Sequence, residues 1–230
     1  KQNKKKGRNS MKYDTVIFDL DGTLLNTIDD LADGVNYCMR KFGLKEHSVD
    51  QVRQFVGNGI RKLMERAIPG GETHPEFETI FETFKEYYTA HCQIKTKAYP
   101  GIEEMLKTLK DKNVKMAIVS NKNMDAVREL NEIYFSEYIS LAVGDTAGVR
   151  RKPYPDSVLH AMQLLDSRKE HTVYVGDSEV DKETAENAGM DYVLVSWGFR
   201  GREYLEKLGA ACIIDQPEEL ISILETVKEK

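Results

Sequence analysis

Thr15-Val16-Ile17-Phe18-Asp19-Leu20-Asp21-Gly22-Thr23 is the stretch on which the fold turns. Its first four residues are β-branched or apolar without alternation, the pattern of a strand buried on both faces. Asp19 and Asp21 follow at a spacing of two, which in extended backbone aims both side chains the same way. Gly22 then permits a sharp turn. Two carboxylates are thereby expected together at the carboxyl end of a buried strand, where open α/β sheets bind ligands. Such a pair can divide its work, one acid staying ionised as nucleophile or metal ligand while the other serves as acid and then base. The plainer alternative is an Asp-Gly turn that ends a strand.

Outward from this stretch, five more runs read as buried strands: Val114–Val119, Ile139–Val143, Thr172–Val175, Tyr192–Val195 and Ala211–Ile214. Helical spacing lies between them. Pro100 opens a helix carrying Ile102, Met105, Leu106 and Leu109, and Pro155 opens another with Val158, Leu159, Met162 and Leu165. Proline is tolerated at a helix start, where the first N–H groups have no intrahelical partner. Strands alternating with helices imply right-handed crossovers and a parallel sheet.

The first strand is separated from the second by about ninety residues, where a parallel crossover needs only a dozen or so. That interval is expected to be an insertion, and its signals are helical. Ile28, Leu31, Val35, Met39 and Phe42 form one stripe; Ser48 can cap a helix carrying Val49, Val52, Phe55 and Val56; Phe77, Ile80, Phe81, Phe84, Tyr87 and Tyr88 form a third set. The fold class is therefore α/β, a Rossmann-like doubly wound parallel sheet. Residues 11–25 and 100–230 form the core, and 26–99 an inserted all-helical cap. Met11 is expected to open the first strand.

Residues 1–10 hold five basic side chains and no acid. No apolar stretch follows, so they do not read as a signal peptide but as a disordered tail outside the fold. Setting the tail's five positive charges aside takes the net charge from −5 to −10 for the rest. An acidic body is a poor nucleic-acid binder, because phosphate neutralisation needs clustered Lys and Arg. It still admits small phosphorylated molecules, since a bound metal ion can reverse the local field. No apolar run is long enough for a membrane helix. Cys38, Cys92 and Cys212 are odd in number and lack zinc-like spacing, which fits reduced cysteines in a cytoplasmic protein.

Further candidate residues sit at the ends of the other strands. Ser120 and Asn121 end Val114–Val119 and can hold phosphate oxygens or cap a helix. Lys152 follows Ile139–Val143 and can neutralise a phosphoryl group or remain a solvated charge. Asp177, in Gly176-Asp177-Ser178-Glu179-Val180-Asp181, can complete an oxygen-ligand set for Mg2+ or belong to an acid-rich helix start. Each plain reading stands by itself. Convergence of all of them on one switch point has no comparable structural reason, and charges gathered in a cleft signal function more often than stability.

These elements, in this order, resemble the haloacid dehalogenase-like hydrolases, in the phosphatase branch with a helical cap after the first strand. The resemblance extends from Met11 to the C-terminus. It implies a Mg2+-dependent phosphatase in which Asp19 is the nucleophile and Asp21 the general acid/base. It further implies that Gly22, Ser120, Asn121 and Lys152 bind the phosphoryl group. Mg2+ is held by Asp19, the Asp21 backbone carbonyl and Asp177, with Asp181 in support. Within the family, Phe55-Val56-Gly57-Asn58-Gly59 with Arg66, and Ser196-Trp197-Gly198-Phe199-Arg200, look most like phosphoglycolate phosphatases. Gly57 and Asn58 are then candidates for substrate selection from the cap; a simple helix-to-helix turn is the alternative.

Rivals sharing this chemistry are a sugar-phosphate mutase and an inorganic pyrophosphatase. A dehalogenase has no need of a second acid at Asp21. A non-catalytic phosphate- or protein-binding module predicts loss of a catalytic residue, and a phospho-acceptor signalling domain predicts no large cap.

Overall fold

A computed structural model describes residues 11–225; the basic segment 1–10 lies outside the described residues. Strand β1 (Thr15–Phe18) leads through the two-residue strand β2 (Leu25–Asn26) into helices α1 (Ile28–Lys41), α2 (Val49–Phe55), α3 (Ile60–Ala67) and α4 (Phe77–His91). The chain returns through β3 (Lys97–Ala98), which pairs antiparallel with β2. Then follow α5 (Ile102–Asp111), β4 (Lys115–Asn123), α6 (Met124–Tyr134), β5 (Leu141–Asp145), α7 (Asp156–Leu164), β6 (Thr172–Gly176), α8 (Glu179–Ala188), β7 (Asp191–Val195), α9 (Arg202–Lys207), β8 (Ile213–Ile214) and α10 (Glu219–Leu224).

The main sheet has the order β5-β4-β1-β6-β7-β8, and its pairings are parallel. β1 is central, with Ile17 opposite Ala117 on one side and Tyr174 on the other. Every residue of β1 is buried, which is why its sequence does not alternate. Val16 and Phe18 pack with α5, α6 and α10 on one face; Ile17 packs with α7 and α8 on the other. Strand order reverses around β1, so its carboxyl end opens into a crevice. That crevice begins where the backbone N–H of Asp19 makes the last bond to β6, at Val175 O, 2.8 Å.

The residues between β2 and β3 bury a separate apolar cluster. Ile28, Leu31, Val35 and Met39 of α1 face Phe77, Ile80, Phe81, Phe84 and Tyr88 of α4. Ser48 caps α2 in a reciprocal capping box with Gln51. Phe199, from the loop after β7, joins this cluster from the sheet's side. The β2–β3 ribbon is braced by the buried Asp30, whose carboxylate accepts from Lys95 N, Thr96 N and Thr96 Oγ1 at 2.8–3.0 Å. No described helix is long and apolar enough to cross a membrane.

Some expectations need correcting. Met11 makes only an isolated bridge to Glu225, and β1 starts at Thr15 because Lys12 and Asp14 interrupt the apolar run. β4 continues through Ser120, Asn121 and Lys122 to Asn123, its pairing resuming with Asp145 after a register shift. Polar residues tolerate that extension because the strand end lines the open crevice. Leu159 points outward from α7 and is 45% exposed, unlike its neighbour Val158, which is fully buried. Helix α3 was not foreseen: Leu63, Met64 and Ala67 carry the right spacing, but over only eight residues that follow two glycines.

Candidate active site

Asp19 and Asp21 leave the end of β1 toward different partners. Asp19 Oδ1 accepts from Lys152 Nζ at 2.7 Å, and its Oδ2 takes no hydrogen bond among the described residues. Asp21 Oδ1 accepts from Lys122 Nζ at 3.0 Å. The turn between them depends on Gly22, whose φ is +87°. A Cβ on Gly22 would lie 2.5 Å from Asp177 Oδ2 and 2.8 Å from the Phe199 ring. Gly198 is equally constrained, with its Cβ position 2.3 Å from that of Asp177. The two glycines thus let the Asp177 carboxylate stand directly beside the Asp19–Gly22 turn. Gly22 makes room for an acid here, and its N–H is bonded to Leu25 O at 2.8 Å.

Lys152 is the hub. Its three ammonium protons match three acceptors: Asp19 Oδ1, Asp181 Oδ1 at 2.8 Å and Tyr174 Oη at 2.9 Å. Burial alone pulls an ammonium toward its neutral form, but Asp181 and Asp19 outweigh it and hold Lys152 well above its ordinary pKa. Asn121 fixes the lysine's backbone: its amide Oδ1 accepts from Lys152 N at 2.8 Å and its Nδ2 donates to Lys152 O at 3.0 Å. The side chain of Asn121 thus aims Lys152 and keeps one amide N–H to give elsewhere. Ser120 is buried and its Oγ accepts from Lys122 N at 3.1 Å, which leaves the hydroxyl proton free to be donated.

Asp181 accepts five hydrogen bonds, from Lys152, Tyr174, the Asp177 and Ser178 backbones and Ser178 Oγ. Burial would raise its pKa; Lys152, Ser178 and Tyr174 more than reverse that and hold it low. It is a fixed anion that also caps α8. Asp177 and Asp19 lack that support. Burial, with repulsion from Asp181 and Asp19, raises Asp177 well above the carboxylate range; burial, with repulsion from Asp181 and Asp21 and against the pull of Lys152, pushes Asp19 up to about 7. One carboxylate oxygen each from Asp19, Asp177 and Asp181 lies within 4.8 Å of the others. Two acids whose ionised forms are disfavoured, in an all-oxygen set without His or Cys, suit a hard divalent cation. Asp181 has its oxygens already occupied, and the Asp21 side chain is turned to Lys122. Within the cluster, Asp19 Oδ2 and Asp177 Oδ1 are left without a hydrogen bond among the described residues, Asp177 Oδ2 accepting from Phe199 N at 2.7 Å.

Sequence reasoning gave no site role to Tyr174, Lys122 or Tyr88. Tyr174 looked like core. Lys122, in β4, binds Asp21 and also Tyr88 Oη of α4 at 3.1 Å, so a side chain of the sheet and one of the insertion meet at the second acid. The available signal was its position two residues after Ser120 in a strand. Arg200 Nη2 donates to Val56 O at 2.8 Å while its guanidinium pairs with both oxygens of Glu179 at 2.7–2.8 Å. The Gly57-Asn58-Gly59 loop crosses the rim above these groups. The Cβ position of Gly57 is 2.7 Å from Arg200, and that of Gly59 is 3.5 Å from Arg151. Asn58 holds a left-handed φ of 63° with an exposed side chain. Arg66 lies behind the loop, donating to Phe55 O and Gly57 O at 2.7 and 3.0 Å.

Comparison with known proteins places these features in a wider set. Residues 16–195 match the family described as haloacid dehalogenase-like hydrolase. Phosphoglycolate phosphatase of Psychrobacter arcticus is 32% identical over 222 residues, spanning 93% of this chain and 96% of that one. Phosphoglycolate phosphatase 1 of Pseudomonas aeruginosa is 31% identical over 220 residues, spanning 93% and 80%. A crystal structure from Lactobacillus delbrueckii subsp. bulgaricus, of a protein proposed to be a phosphoglycolate phosphatase, has a TM-score of 0.89 and 39% identity, covering 93% of this chain and 99% of that one.

Proposed function

The chain belongs to the haloacid dehalogenase-like hydrolases, and on that premise we propose a Mg2+-dependent phosphatase that moves the phosphoryl group of a small, phosphoglycolate-like monoester onto Asp19 and then to water. It is a phosphoric monoester hydrolase. The observation that carries the mechanism is the separation of the two acids. Asp19 stands within the carboxylate cluster with Oδ2 unengaged, while Asp21 stands outside it, facing the insertion through Lys122 and Tyr88.

In this reading Asp19 Oδ2 attacks phosphorus in line with the departing oxygen. Lys152 holds Asp19 in position and sets its positive charge beside the transferred group, while the Ser120 hydroxyl has a proton to give a phosphoryl oxygen, a fixed donor that stabilises developing charge in a dry site. Asp21 gives a proton to the leaving oxygen. It then takes one from the water that opens the aspartyl phosphate. Mg2+ held by Asp19, Asp177 and the Asp21 backbone carbonyl would supply charge neutralisation. Asp181 sets the position of Lys152 and of the Asp177 loop. Residues 26–99 act as the cap, and its Gly57-Asn58 loop, seated against Arg200, takes part in choosing the substrate and excluding water.

The test is Asp21→Asn with an aryl phosphate. A good leaving group barely needs the acid, whereas the second step still needs a base worth about 10²–10⁴-fold. About one equivalent of phenol should appear rapidly, followed by slow turnover, and intact mass should report one phosphoryl group on Asp19. Without a burst and without phosphorylated protein, this assignment of Asp19 and Asp21 is wrong.

A further inference from the structure

Two lysines serve the two acids, and only one of them has all its bonding capacity used. Lys152 has three acceptors for three protons. Lys122 has two among the described residues, Asp21 Oδ1 at 3.0 Å and Tyr88 Oη at 3.1 Å. An ammonium carries three donors, so one remains. The lysine side chain is 13% exposed and that of Asp21 21%, so little solvent reaches the pair. Tyr88 is 7% exposed, and its ring also lies 5.1 Å from Lys122 Nζ.

The place of this cation follows from the proposed reaction. The leaving oxygen must meet the Asp21 carboxyl, so the group attached to it lies against whatever adjoins that carboxyl. Here that is Lys122, about two hydrogen-bond lengths (roughly 6 Å) from the leaving oxygen. Lys152 lies on the opposite, phosphoryl side of the reacting centre, bound to Asp19.

We propose that Lys122, braced by Tyr88, is the leaving-group subsite, where it takes the carboxylate of an alcohol whose acid lies one or two carbons from the ester oxygen. This rests on the phosphatase reading above and adds to it the residue that selects the alcohol. A carboxylate fits the single charge and the short reach. A second phosphoryl group would bring more charge than one partly engaged ammonium can balance. A neutral alcohol would displace water from Lys122 and give no ionic partner in return, which is the kind of mismatch that discriminates strongly.

The experiment measures kcat/KM for 2-phosphoglycolate and for 2-hydroxyethyl phosphate, which has an alcohol in place of the carboxylate, with Mg2+ present. Phenyl phosphate is the common control. Wild type should favour 2-phosphoglycolate by about 10–100-fold, the scale of a charge-assisted hydrogen bond. Lys122→Met should bring that ratio to near one, and Lys122→Arg should restore part of it. Tyr88→Phe, which introduces no unpaired buried charge, covers the case in which Lys122→Met does not fold. It should lower the ratio several-fold. If the lysine variants lose activity on both esters equally, Lys122 only positions Asp21 and the subsite is disproved. A wild type that turns over both esters without preference also overturns it and leaves the phosphatase standing. Failure on all three esters defeats the phosphatase reading, and this inference with it.

Discussion

Asp19→Asn, melted beside the wild type in EDTA, is expected to exceed it in stability by a margin that widens as the pH rises. Burial pushes the Asp19 carboxyl from an ordinary 3.8 to about 7, with Asp181 and Asp21 adding repulsion and Lys152 only partly opposing them. In the unfolded chain the same carboxyl ionises near its ordinary value. Between about pH 4 and 7 the folded protein therefore binds more protons, and stability falls with rising pH through that window. At 1.36 kcal/mol per pKa unit, the ionised carboxylate costs the metal-free fold about 4 kcal/mol above pH 7. For a chain of this size 1 kcal/mol moves Tm by about 2–4 °C, so the asparagine variant should melt roughly 8–16 °C above wild type at pH 8 and close to it at pH 4.5. Taking the difference between the two proteins cancels the opposite trend from surface acids such as Asp156 and Asp215, whose pKa values are held low by hydrogen bonds from Arg150 and Arg202. Differential scanning fluorimetry or circular dichroism across pH 4.5–8.5 reads the gap directly. Mg2+ should narrow it by stabilising wild type most at high pH, where the carboxylates most need a counter-charge. A gap that is absent at pH 8, or the same at every pH, refutes the argument that the acid cluster strains the metal-free fold.

Two further outcomes follow from contacts outside the acid cluster. Arg200→Ala removes the bonds that join Val56 of the insertion to Glu179 of the sheet's crevice; KM should rise about tenfold, as for loss of one charge-assisted bond, and the 56–59 loop should become easier to cleave by protease. Unchanged KM and cleavage would mean that the loop is held by Arg66 alone. Asp30→Asn replaces an acceptor of four bonds by a group whose NH2 faces backbone donors. That should cost about 2–3 kcal/mol and lower Tm by roughly 4–12 °C, and a drop under about 2 °C would exclude a bracing role for this carboxylate.

The sheet was legible because its strands are buried on both faces. Val16-Ile17-Phe18 and Val173-Tyr174-Val175 have no solvent side, so their composition alone declares a parallel sheet between helical layers. The long helices of the insertion were legible for the opposite reason: Ile28, Leu31, Val35 and Met39 recur on one stripe because another side of α1, with Asp29, Asp33, Asn36 and Arg40, meets solvent in whole or part. What escaped were elements held by neighbours rather than by their own pattern. β2 and β3 are two residues each, and their strand character comes from pairing with each other and from Asp30. β4 runs past Val119 into polar residues because β5 offers it a partner at Asp145.

The candidate site divides along the same line. Asp19, Asp21, Ser120, Lys152 and Asp177 could be picked out because each stands at the end of a legible strand. Lys122, Tyr174 and Tyr88 could not, because nothing in a linear pattern distinguishes a lysine that meets a buried acid from one that meets water. Only the fold brings the β4 lysine to the β1 acid and the α4 tyrosine. The same limit explains Asn121 and Gly22. Both were singled out for phosphate, and only the fold shows that one also aims Lys152 and the other makes room for Asp177. Sequence position identified the neighbourhood, but the direction of each side chain was set by competition among acceptors. Lys152 satisfied its three protons on Asp19, Asp181 and Tyr174, which left Asp21 to Lys122. That partition gives two chemically identical aspartates, two residues apart, different neighbours: one among buried carboxylates, the other against an ammonium that faces the insertion.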